Sequence, residues 1–369
     1  MKISVSRDGL LTQLGIVARA ASTRSAVQTL AGVMFHADET GVELRATDME
    51  MAIRVPLEAS AERPGTVVLP ARLLVEVVRS LASDKLVLEH RSAEDDVQVS
   101  AGSADFQLRV LPLDDFPRLP EAPSDERSVT LAARAFIETA ERVARSASRD
   151  ETRPHLTGVL VSASGSELRM VATDSYRLSV KETGLERPID AELEVNVPAR
   201  ALQELSRVAS AAAGDIEIWH QANQVIFRVD GITLSSRLVE GRFPNYRQLL
   251  PESYEHELRV SRAEVLEVVR RIGLLAQKNS PLRLAFTEGA VEVSAQTPDI
   301  GRASESLPLP FKGEPLEVGF NAEFLRDGLE SAEADELILK LISPLRPGLI
   351  EAGDGSGFTY LVMPIRLNV

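Results

Sequence analysis

The stretch Ala172-Thr173-Asp174-Ser175-Tyr176-Arg177-Leu178 is the first indication of the fold, because its opening tripeptide also stands earlier in the chain. Ala46-Thr47-Asp48 precedes it, with the two Thr-Asp pairs 126 residues apart. Each pair follows a strand-like segment, 42–45 in the first copy and 168–171 in the second. Similarity at a fixed long spacing is the sequence signature of a repeated structural unit.

Two further landmarks recur at nearly the same spacing. Leu69-Pro70-Ala71-Arg72 returns 128 residues later as Val197-Pro198-Ala199-Arg200, and 123 residues after that as Phe320-Asn321-Ala322-Glu323. Phe116-Pro117-Arg118-Leu119-Pro120 returns 127 residues later as Phe243-Pro244-Asn245-Tyr246. The landmarks keep their order, so the chain is predicted to contain three copies of one unit.

Each unit is predicted to contain two helices and roughly eight strands. The first helices are predicted over residues 7–20, 131–147 and 261–277, where apolar residues such as Leu10, Leu14 and Val17 recur at helical spacing. The second helices start at the Pro-Ala-Arg landmark, since proline suits a first helical turn. Linkers of turn-forming and charged residues lie at 120–127 and 251–256. The prediction is an α+β protein of three domains, 1–121, 127–250 and 257–369.

Composition narrows the class of protein. The chain has 369 residues and no cysteine, which excludes disulfides and thiolate metal sites and favours a reducing cytoplasm. No apolar segment has the roughly 20 residues that a membrane helix needs, and the N-terminus has no secretory signal pattern. The net charge of −14 argues against nucleic acid as a partner, but only the local arrangement of its 35 arginines and six lysines decides that question.

Arginines form a possible phosphate-binding stripe on the predicted helices. Arg134, Arg142, Arg145 and Arg149 fall on one face of a helix at 100° per residue. Two pairs spaced by seven residues repeat the pattern on the second helices, namely Arg72 with Arg79 and Arg200 with Arg207. No aromatic residue is interleaved, so the stripe suits backbone phosphates rather than unpaired bases. The alternative is a solvated face of salt bridges.

Catalysis is not predicted. The five histidines lack the spacing of a metal motif. The glycine-rich segment Gly353-Asp354-Gly355-Ser356-Gly357 leads into a strand, which predicts a hairpin turn and not a phosphate-binding loop. The recurring Thr-Asp pair is interpreted as a structural turn in which the Asp side chain satisfies nearby backbone donors. No enzyme activity, cofactor or metal is therefore expected.

Three tandem units suggest closure by a second chain, because exposed sheet edges favour further pairing. The candidate edge is the strand at residues 105–111, which carries Phe106 and Leu108. Its candidate mate is Leu274-Leu275 at the end of the third unit's first helix. The alternative is that Phe106, Leu274 and Leu275 are ordinary core residues.

Three stretches together give the chain a resemblance to the bacterial sliding clamps, the DNA polymerase III β subunits. They are the stretch from Val171 to Leu178 and two others, Leu238-Val239-Glu240-Gly241-Arg242-Phe243-Pro244-Asn245-Tyr246-Arg247 and Tyr360-Leu361-Val362-Met363-Pro364-Ile365-Arg366-Leu367. The resemblance implies a head-to-tail homodimer whose six domains form a ring, with helices lining the hole and duplex DNA passing through it. The partners it implies are double-stranded DNA without sequence preference, the replicative polymerase, the clamp loader and other polymerases and repair proteins. The alternative function is a protein-interaction scaffold without a DNA role.

The resemblance also implies a hydrophobic pocket for short partner peptides, with Arg177 and Arg366 at its rim. The matching positions are Leu156, Thr173, Ser175, Tyr176, Arg177, Leu178, Pro244, Gln248, Leu249, Asn321, Phe324, Leu345, Leu361, Met363, Pro364, Ile365, Arg366 and Leu367. Positions that resemble the family's DNA contacts are Arg24 and the loop 149–153, which includes Arg149 and Arg153. Some family members have Gly-His in place of Ser175-Tyr176, Arg in place of Gln248 and Tyr in place of Phe324.

Overall fold

The computed structural model describes residues 1–22, 24–123, 128–276 and 280–367. Part of the first predicted linker, residues 124–127, and the predicted helix end at Gln277 lie outside these ranges. The described residues form six α-helices: α1 (Arg7–Val17), α2 (Ala71–Ser80), α3 (Ala133–Val143), α4 (Ala199–Val208), α5 (Arg262–Ile272) and α6 (Ala322–Ala332).

Strands make up most of the remaining structure, which confirms the α+β class. In the described part of the chain they are β1 (Lys2–Ser6), β2 (Gly32–Asp38), β3 (Gly41–Thr47), β4 (Met51–Leu57), β5 (Ala59–Arg63), β6 (Gly65–Pro70), β7 (Lys85–Arg91), β8 (Asp96–Ala101), β9 (Ala104–Arg109), β10 (Val129–Ala132), β11 (Gly158–Thr173), β12 (Arg177–Pro198), β13 (Asp215–Gln221), β14 (Gln224–Val229), β15 (Ile232–Arg237), β16 (His256–Ser261), β17 (Leu282–Thr287), β18 (Ala290–Thr297), β19 (Gly301–Pro308), β20 (Leu316–Phe320), β21 (Glu336–Leu341), β22 (Gly348–Ala352) and β23 (Phe358–Val362).

The helices recur in the same way in each repeat. The first helices, α1, α3 and α5, each pass directly into one turn of 3-10 helix, at Ala18–Ala20, Ala144–Ser146 and Gly273–Leu275. The α-helices therefore end before residues 20 and 147, where the sequence pattern placed their ends, because apolar spacing does not distinguish a final tight turn from a continuing helix. The second helices α2 and α4 begin at the alanine after the landmark proline and not at the proline itself.

The predicted apolar stripe of α1 is confirmed. Leu10, Leu14 and Val17 have no solvent-exposed surface, and each lies about one helical turn from the next. Ser6 caps this helix, since its hydroxyl accepts a hydrogen bond from the Gly9 amide at 3.1 Å. Asn321 caps α6 in the same way through the amides of Glu323 and Phe324.

The fold divides into two compact units, and the first contains Met1–Arg134 and Arg207–Leu238. Its two sheets have the strand orders β5-β1-β7-β8-β9 and β10-β13-β14-β15-β4-β3-β2-β6. The second sheet joins two repeats, because β4 of the first repeat pairs with β15 of the second through Leu234 opposite Ile53. Strand β9 is the last strand of its sheet.

The second unit contains Ala135–Ser206 and Val239–Val369. Its sheets have the orders β11-β12-β23-β22-β21-β16 and β19-β18-β17-β20. Here β12 of the second repeat pairs with β23 of the third, with Leu178 opposite Leu361. Strands β22 and β23 form a hairpin across the glycine-rich segment 353–357, as predicted. Strand β19 is the last strand of its sheet.

Candidate functional site: an apolar cavity and a set of exposed arginines

The turn between β11 and β12 is closed by the predicted Thr-Asp pair. The Thr173 hydroxyl donates to the carbonyl of Arg177 at 2.6 Å, and Asp174 Oδ1 accepts from the amides of Tyr176 and Arg177 at 2.9 and 3.0 Å. These bonds confirm the interpretation of the pair as a structural turn. Ser175 has a φ of 78°, a left-handed conformation that glycine adopts without steric cost, which suits the glycine of some family members at this position.

Arg177 lies inside this region and not at its rim, so the predicted rim position is wrong. Its guanidinium is 7% exposed and bonds to Asp174 Oδ2 at 3.0 Å, to Asp327 Oδ2 at 2.6 Å and to the Arg145 carbonyl at 2.7 Å. It also lies 4.4 Å from the centre of the Phe324 ring. A buried guanidinium needs such partners, and the carboxylate of Asp327 was not evident from local sequence because it is far along the chain.

Protonation states around Arg177 follow from burial and charge. Burial acts to lower the pKa of Arg177, but the neighbouring Tyr360 and Asp327 act in the opposite direction and hold it above its ordinary value. Burial raises the pKa of Tyr360, so its phenol stays protonated and donates to the Phe324 carbonyl at 2.8 Å. Phe324 is therefore held from two sides.

Beside this turn lies a cavity of about 930 Å³, which we call the apolar cavity. Its floor includes the buried side chains of Leu178 and Leu361. At its mouth Leu249, Leu345 and Met363 are 49%, 60% and 38% exposed. Exposed apolar side chains around a concave site are typical of a surface that binds another molecule, and the volume falls in the usual range of roughly 300–1,000 Å³.

Half of the predicted pocket residues line the apolar cavity. They are Thr173, Ser175, Arg177, Leu178, Gln248, Leu249, Leu345, Leu361 and Met363. A second cavity of about 750 Å³ also touches Arg177 and is lined by three further predicted residues, Tyr176, Asn321 and Phe324. The other predicted positions line neither: Leu156, Pro244, Pro364, Ile365, Arg366 and Leu367. Of these, Leu156 is buried, Arg366 is exposed, and Ile365 donates its amide to the Gly319 carbonyl at 2.7 Å.

The cavity also has walls that the sequence did not predict. They are Arg247, Leu250, Pro251, Glu252, Ser253, Ile342, Arg346 and Pro347. Residues 251–253 were assigned to a linker because of their turn and charge composition, and a linker signal gives no information about the surface it packs against. Arg247 lies over the ring of Tyr246 at 5.3 Å, and Arg346 has no ion pair within the described ranges.

The ten predicted DNA-contacting arginines are mostly accessible. Arg24, Arg72, Arg79, Arg134, Arg145, Arg149, Arg200 and Arg207 are exposed, whereas Arg142 and Arg153 are half-buried. At least four of the ten are paired with carboxylates: Arg72 with Glu76, Arg142 with Glu333, Arg145 with Glu330 and Arg153 with Asp150. The alternative of a partly salt-bridged face therefore holds for these four.

The predicted single helical face of Arg134, Arg142, Arg145 and Arg149 is wrong in part. Helix α3 ends at Val143, Arg145 lies in the following 3-10 turn, and Arg149 lies in the loop beyond it. An angle of 100° per residue applies only while the α-helix continues. The chain nevertheless brings Arg145, Arg149 and Arg200 to one depression of about 860 Å³.

Two arginines that the sequence did not point to, Arg270 of α5 and Arg326 of α6, line the same depression. Glu330 lies among these cations: its Oε2 accepts from Arg145 and its Oε1 from Arg270, both at 2.8 Å. The hydrogen bond from Arg270, with the one from Arg145, holds the pKa of Glu330 below its usual value, although partial burial opposes this.

The predicted dimer residues fall into two groups. Leu274 is 83% exposed, and Leu275 and Phe106 are half-buried, the latter on the edge strand β9. The prediction that Leu108 lies at the dimer interface is wrong, because this side chain is 5% exposed and already packed within its own unit. An exposed leucine at a helix end is the strongest of the four signals, since burial of its apolar surface by another chain is favourable.

Two features are absent from the described part of the chain. No group of three or more histidine, aspartate or glutamate side chains there could hold a metal ion. No helix among the same residues has the length and apolar character required to cross a membrane.

Comparison with known proteins agrees with this architecture. Models of the N-terminal, central and C-terminal domains of the DNA polymerase III beta subunit match residues 1–120, 130–245 and 247–366. The chain belongs to this family. It is 35% identical to the beta sliding clamp of Synechococcus elongatus over all of both chains, and 31% identical to that of Staphylococcus epidermidis over 99% of each.

Solved structures of β sliding clamps have the same fold. The DNA polymerase sliding clamp of Bacillus subtilis superposes with a TM-score of 0.92 at 27% identity, covering all of both chains. The DNA polymerase III subunit beta of Pseudomonas aeruginosa bound to griselimycin gives 0.91 at the same identity and coverage. The chain therefore consists of three clamp domains, and its family is one of processivity factors and not of enzymes.

Proposed function

We propose that this chain is a DNA sliding clamp that works as a head-to-tail homodimer, a ring of six domains around duplex DNA. It holds the replicative polymerase, the clamp loader and other polymerases and repair proteins on DNA through short peptides that bind the apolar cavity. The domains are those expected from the repeats, 1–121, 127–250 and 257–369, and we propose that the protein works in the cytoplasm.

The single observation that carries the ring is the repeated junction between sheets. Strand β4 of the first repeat pairs with β15 of the second, and β12 of the second pairs with β23 of the third. The equivalent strands that remain are β19 of the third repeat and β9 of the first, and both are end strands of their sheets. Pairing β19 of one copy with β9 of another repeats the same junction and leaves neither edge open.

Side chains near these edges supply the apolar part of the junction. Leu274 and Leu275 lie in the turn after α5, and the Leu275 carbonyl accepts from the Thr297 hydroxyl at 2.5 Å, which holds that turn against the end of β18. Phe106 on β9 is the candidate partner surface. A dimer of this kind buries Leu274, which is otherwise mostly exposed.

The arginines suit a sliding contact with phosphates. Six of them lie on three helices: Arg72 and Arg79 on α2, Arg134 and Arg142 on α3, Arg200 and Arg207 on α4. Phosphate contacts carry no sequence information, so binding by these residues is independent of base sequence. Pairing of several arginines with glutamates weakens each contact, which favours movement along DNA, while retention depends on the closed ring and not on affinity.

The apolar cavity suits the side chains of a short peptide tail. Leu178 and Leu361 form an apolar floor, and Leu249, Leu345 and Met363 offer further apolar contacts at the mouth. Recognition of a peptide commonly combines such anchoring pockets with a few polar groups, here Arg247 and Arg346.

The deciding experiment compares retention on circular and linear DNA. The protein is loaded by a clamp loader onto a nicked circular plasmid, the salt concentration is raised, and half of the sample is then cut with a restriction enzyme. A ring stays on the circle at high salt and leaves after linearisation. A scaffold without a DNA role behaves identically on both, and that outcome removes the proposal.

A further inference from the structure

The first repeat contains a turn with the same hydrogen bonds as residues 173–177. The Thr47 hydroxyl donates to the Met51 carbonyl at 2.8 Å, and the Met49 amide donates to the Thr47 hydroxyl at 3.0 Å. Asp48 Oδ1 accepts from the amides of Glu50 and Met51 at 3.1 and 2.9 Å. Met49 has the same φ of 78° as its counterpart in the second repeat. The hydrogen-bonded turn that forms one wall of the apolar cavity in the second repeat is therefore also present in the first repeat.

The adjoining strand repeats as well. The amide of Arg237, at the end of β15, donates to the carbonyl of Glu50 at 2.9 Å, as the amide of Met363 after β23 donates to that of Tyr176 at 2.8 Å. A cavity of about 200 Å³ lies at this junction, within the first compact unit. We call it the first-repeat groove, and its lining includes Met49, Glu50, Ala52, Arg118, Ser235 and Arg237.

The lining of the first-repeat groove has a different chemistry from that of the apolar cavity. Strand register places Ser235 opposite Ala52, where the second repeat has Leu361 opposite Leu178. By the same register Arg237 takes the place of Met363. Small, hydroxyl-bearing and cationic side chains thus replace the aliphatic side chains at the floor and mouth of the apolar cavity. The same backbone arrangement therefore accepts a different class of peptide.

Two arginines and one glutamate, Glu50, line the groove, which leaves it with a net positive charge. Arg118 and Arg237 are both exposed, and within the described ranges neither forms an ion pair. The segment that carries Arg118 is fixed, because Arg54 Nη2 donates to the carbonyls of Leu119 and Pro120, both at 2.9 Å. Guanidinium groups held at a groove without carboxylate partners match carboxylates of an incoming ligand.

An apolar contact accompanies the two cations. Met49 is 49% exposed at the groove, and methionine is a flexible side chain that adapts to varied apolar partners. The volume of about 200 Å³ is below the range of roughly 300–1,000 Å³ typical of small-molecule pockets. The space therefore accepts one aliphatic side chain of a peptide that extends over the surface.

We propose that the first-repeat groove is a second peptide-binding site, selective for acidic segments that place carboxylates on Arg118 and Arg237 and an aliphatic side chain beside Met49. The inference deepens the proposed function, since such a segment belongs to a protein held at the same clamp. One chain then holds two partners of different chemistry, an apolar tail in the apolar cavity and an acidic tail in the groove.

The test uses the full chain and a fluorescent peptide of one leucine flanked by glutamates and aspartates. Fluorescence anisotropy at low salt measures its affinity for the unchanged protein, for Arg118→Glu/Arg237→Glu and for Arg346→Glu. The double variant is expected to weaken binding at least about tenfold, equal to about 1.4 kcal/mol, whereas Arg346→Glu, which reverses one arginine charge at the apolar cavity, leaves affinity within about twofold. Raising salt is expected to weaken binding by the unchanged protein, because the contacts are exposed ion pairs.

Three results overturn the inference: no binding to the unchanged protein, equal binding by the double variant, or an equal loss in Arg346→Glu. A thermal melt shows whether the double variant is folded, and Arg118→Gln/Arg237→Gln repeats the comparison without charge reversal. An apolar peptide of the same length, measured in parallel, reports on the apolar cavity alone. Its failure to bind counts against the proposed function, while failure of the acidic peptide alone counts only against this second site.

Discussion

Arg177 donates a hydrogen bond of 2.6 Å to Asp327, and this bond joins the turn after β11 to helix α6. Both side chains are largely buried, at 7% and 14% exposure. The same guanidinium lies over the Phe324 ring and lines both the apolar cavity and its neighbour. Arg177 is therefore a structural support of the cavity wall, and its charge is already neutralised before any peptide arrives.

Replacing the acceptor tests that support. Asp327→Asn keeps an acceptor oxygen but removes its charge, which leaves buried Arg177 with Asp174 as its remaining carboxylate. A hydrogen bond between charged groups contributes about 1.5–3 kcal/mol, and loss of the charge removes up to this amount. Urea unfolding is expected to show a loss of free energy of unfolding in this range. The matched control is Glu317→Gln, which removes the exposed pair with Arg283 and is expected to cost less than about 1 kcal/mol. Equal losses in the two variants contradict the assigned role.

How much the sequence predicted depends on whether a feature is local. The helical spacing of Leu10, Leu14 and Val17 and the Thr-Asp turns depend on neighbours within a few residues, and both predictions were confirmed. The three-domain organisation was also predicted, because the landmarks recur at nearly constant spacing, and the family was predicted from the resemblance of three stretches to the sliding clamps. Helical spacing and turn patterns can be predicted reliably because local backbone geometry determines them.

Features that depend on distant partners were missed or misplaced. Arg177 was placed at the rim because nothing near it in the chain indicates Asp327. Arg145 and Arg149 were placed on a helical face that ends at Val143, since a change from α-helix to 3-10 helix leaves little trace in apolar spacing. The walls formed by residues 251–253 were taken for a linker, because composition does not show what a turn packs against.

The proposed dimer predicts a strong effect of charge at Leu274. Leu274→Glu is expected to give a species near the 40.2 kDa chain mass by light scattering, where the unchanged protein gives twice that mass. Burial of an unpaired charge costs several kcal/mol, which exceeds what one apolar contact contributes. Leu73→Glu is the matched control, because Leu73 is also an exposed leucine on a helix, at 46% exposure, and is expected to leave the mass unchanged. A fully dimeric Leu274→Glu variant places the interface elsewhere.

The apolar cavity predicts a loss of peptide affinity when its mouth becomes charged. Leu249→Asp is expected to weaken binding of an apolar polymerase-tail peptide at least about tenfold, because the carboxylate must be desolvated beside Leu178 and Leu361. Isothermal titration calorimetry measures the change. Leu113→Asp alters another leucine of similar exposure, 41% against 49%, and is expected to bind as the unchanged protein does. If both variants bind normally, the cavity is not the peptide site.

The proposed contact of the arginines with DNA should depend on the charge of Glu330. Its carboxylate accepts from Arg145 and Arg270, so Glu330→Gln removes the charge that balances two cations in the arginine-lined depression. Affinity for a short linear duplex is expected to rise, and the slope of log affinity against log salt to steepen by about 0.9 for each additional phosphate contact. Fluorescence anisotropy over a salt series measures both quantities.

The same carboxylate predicts a pH dependence of stability. Because the pKa of Glu330 is lowered in the folded chain, its contribution to stability is complete above the unfolded pKa of about 4.3 and disappears as pH falls through the lower folded value. Glu330→Gln lacks this contribution at neutral pH and is expected to lose less stability on acidification than the unchanged protein.

The control for both the DNA and the stability measurements is Glu305→Gln, which removes the exposed pair with Arg271 outside the depression. Glu305→Gln should also lose less stability on acidification than the unchanged protein, since the pKa of Glu305 is lowered too. It should leave the salt dependence of DNA affinity unchanged. An equal steepening in both variants shows that overall charge, and not the position of Glu330 among the arginines, controls the contact with DNA.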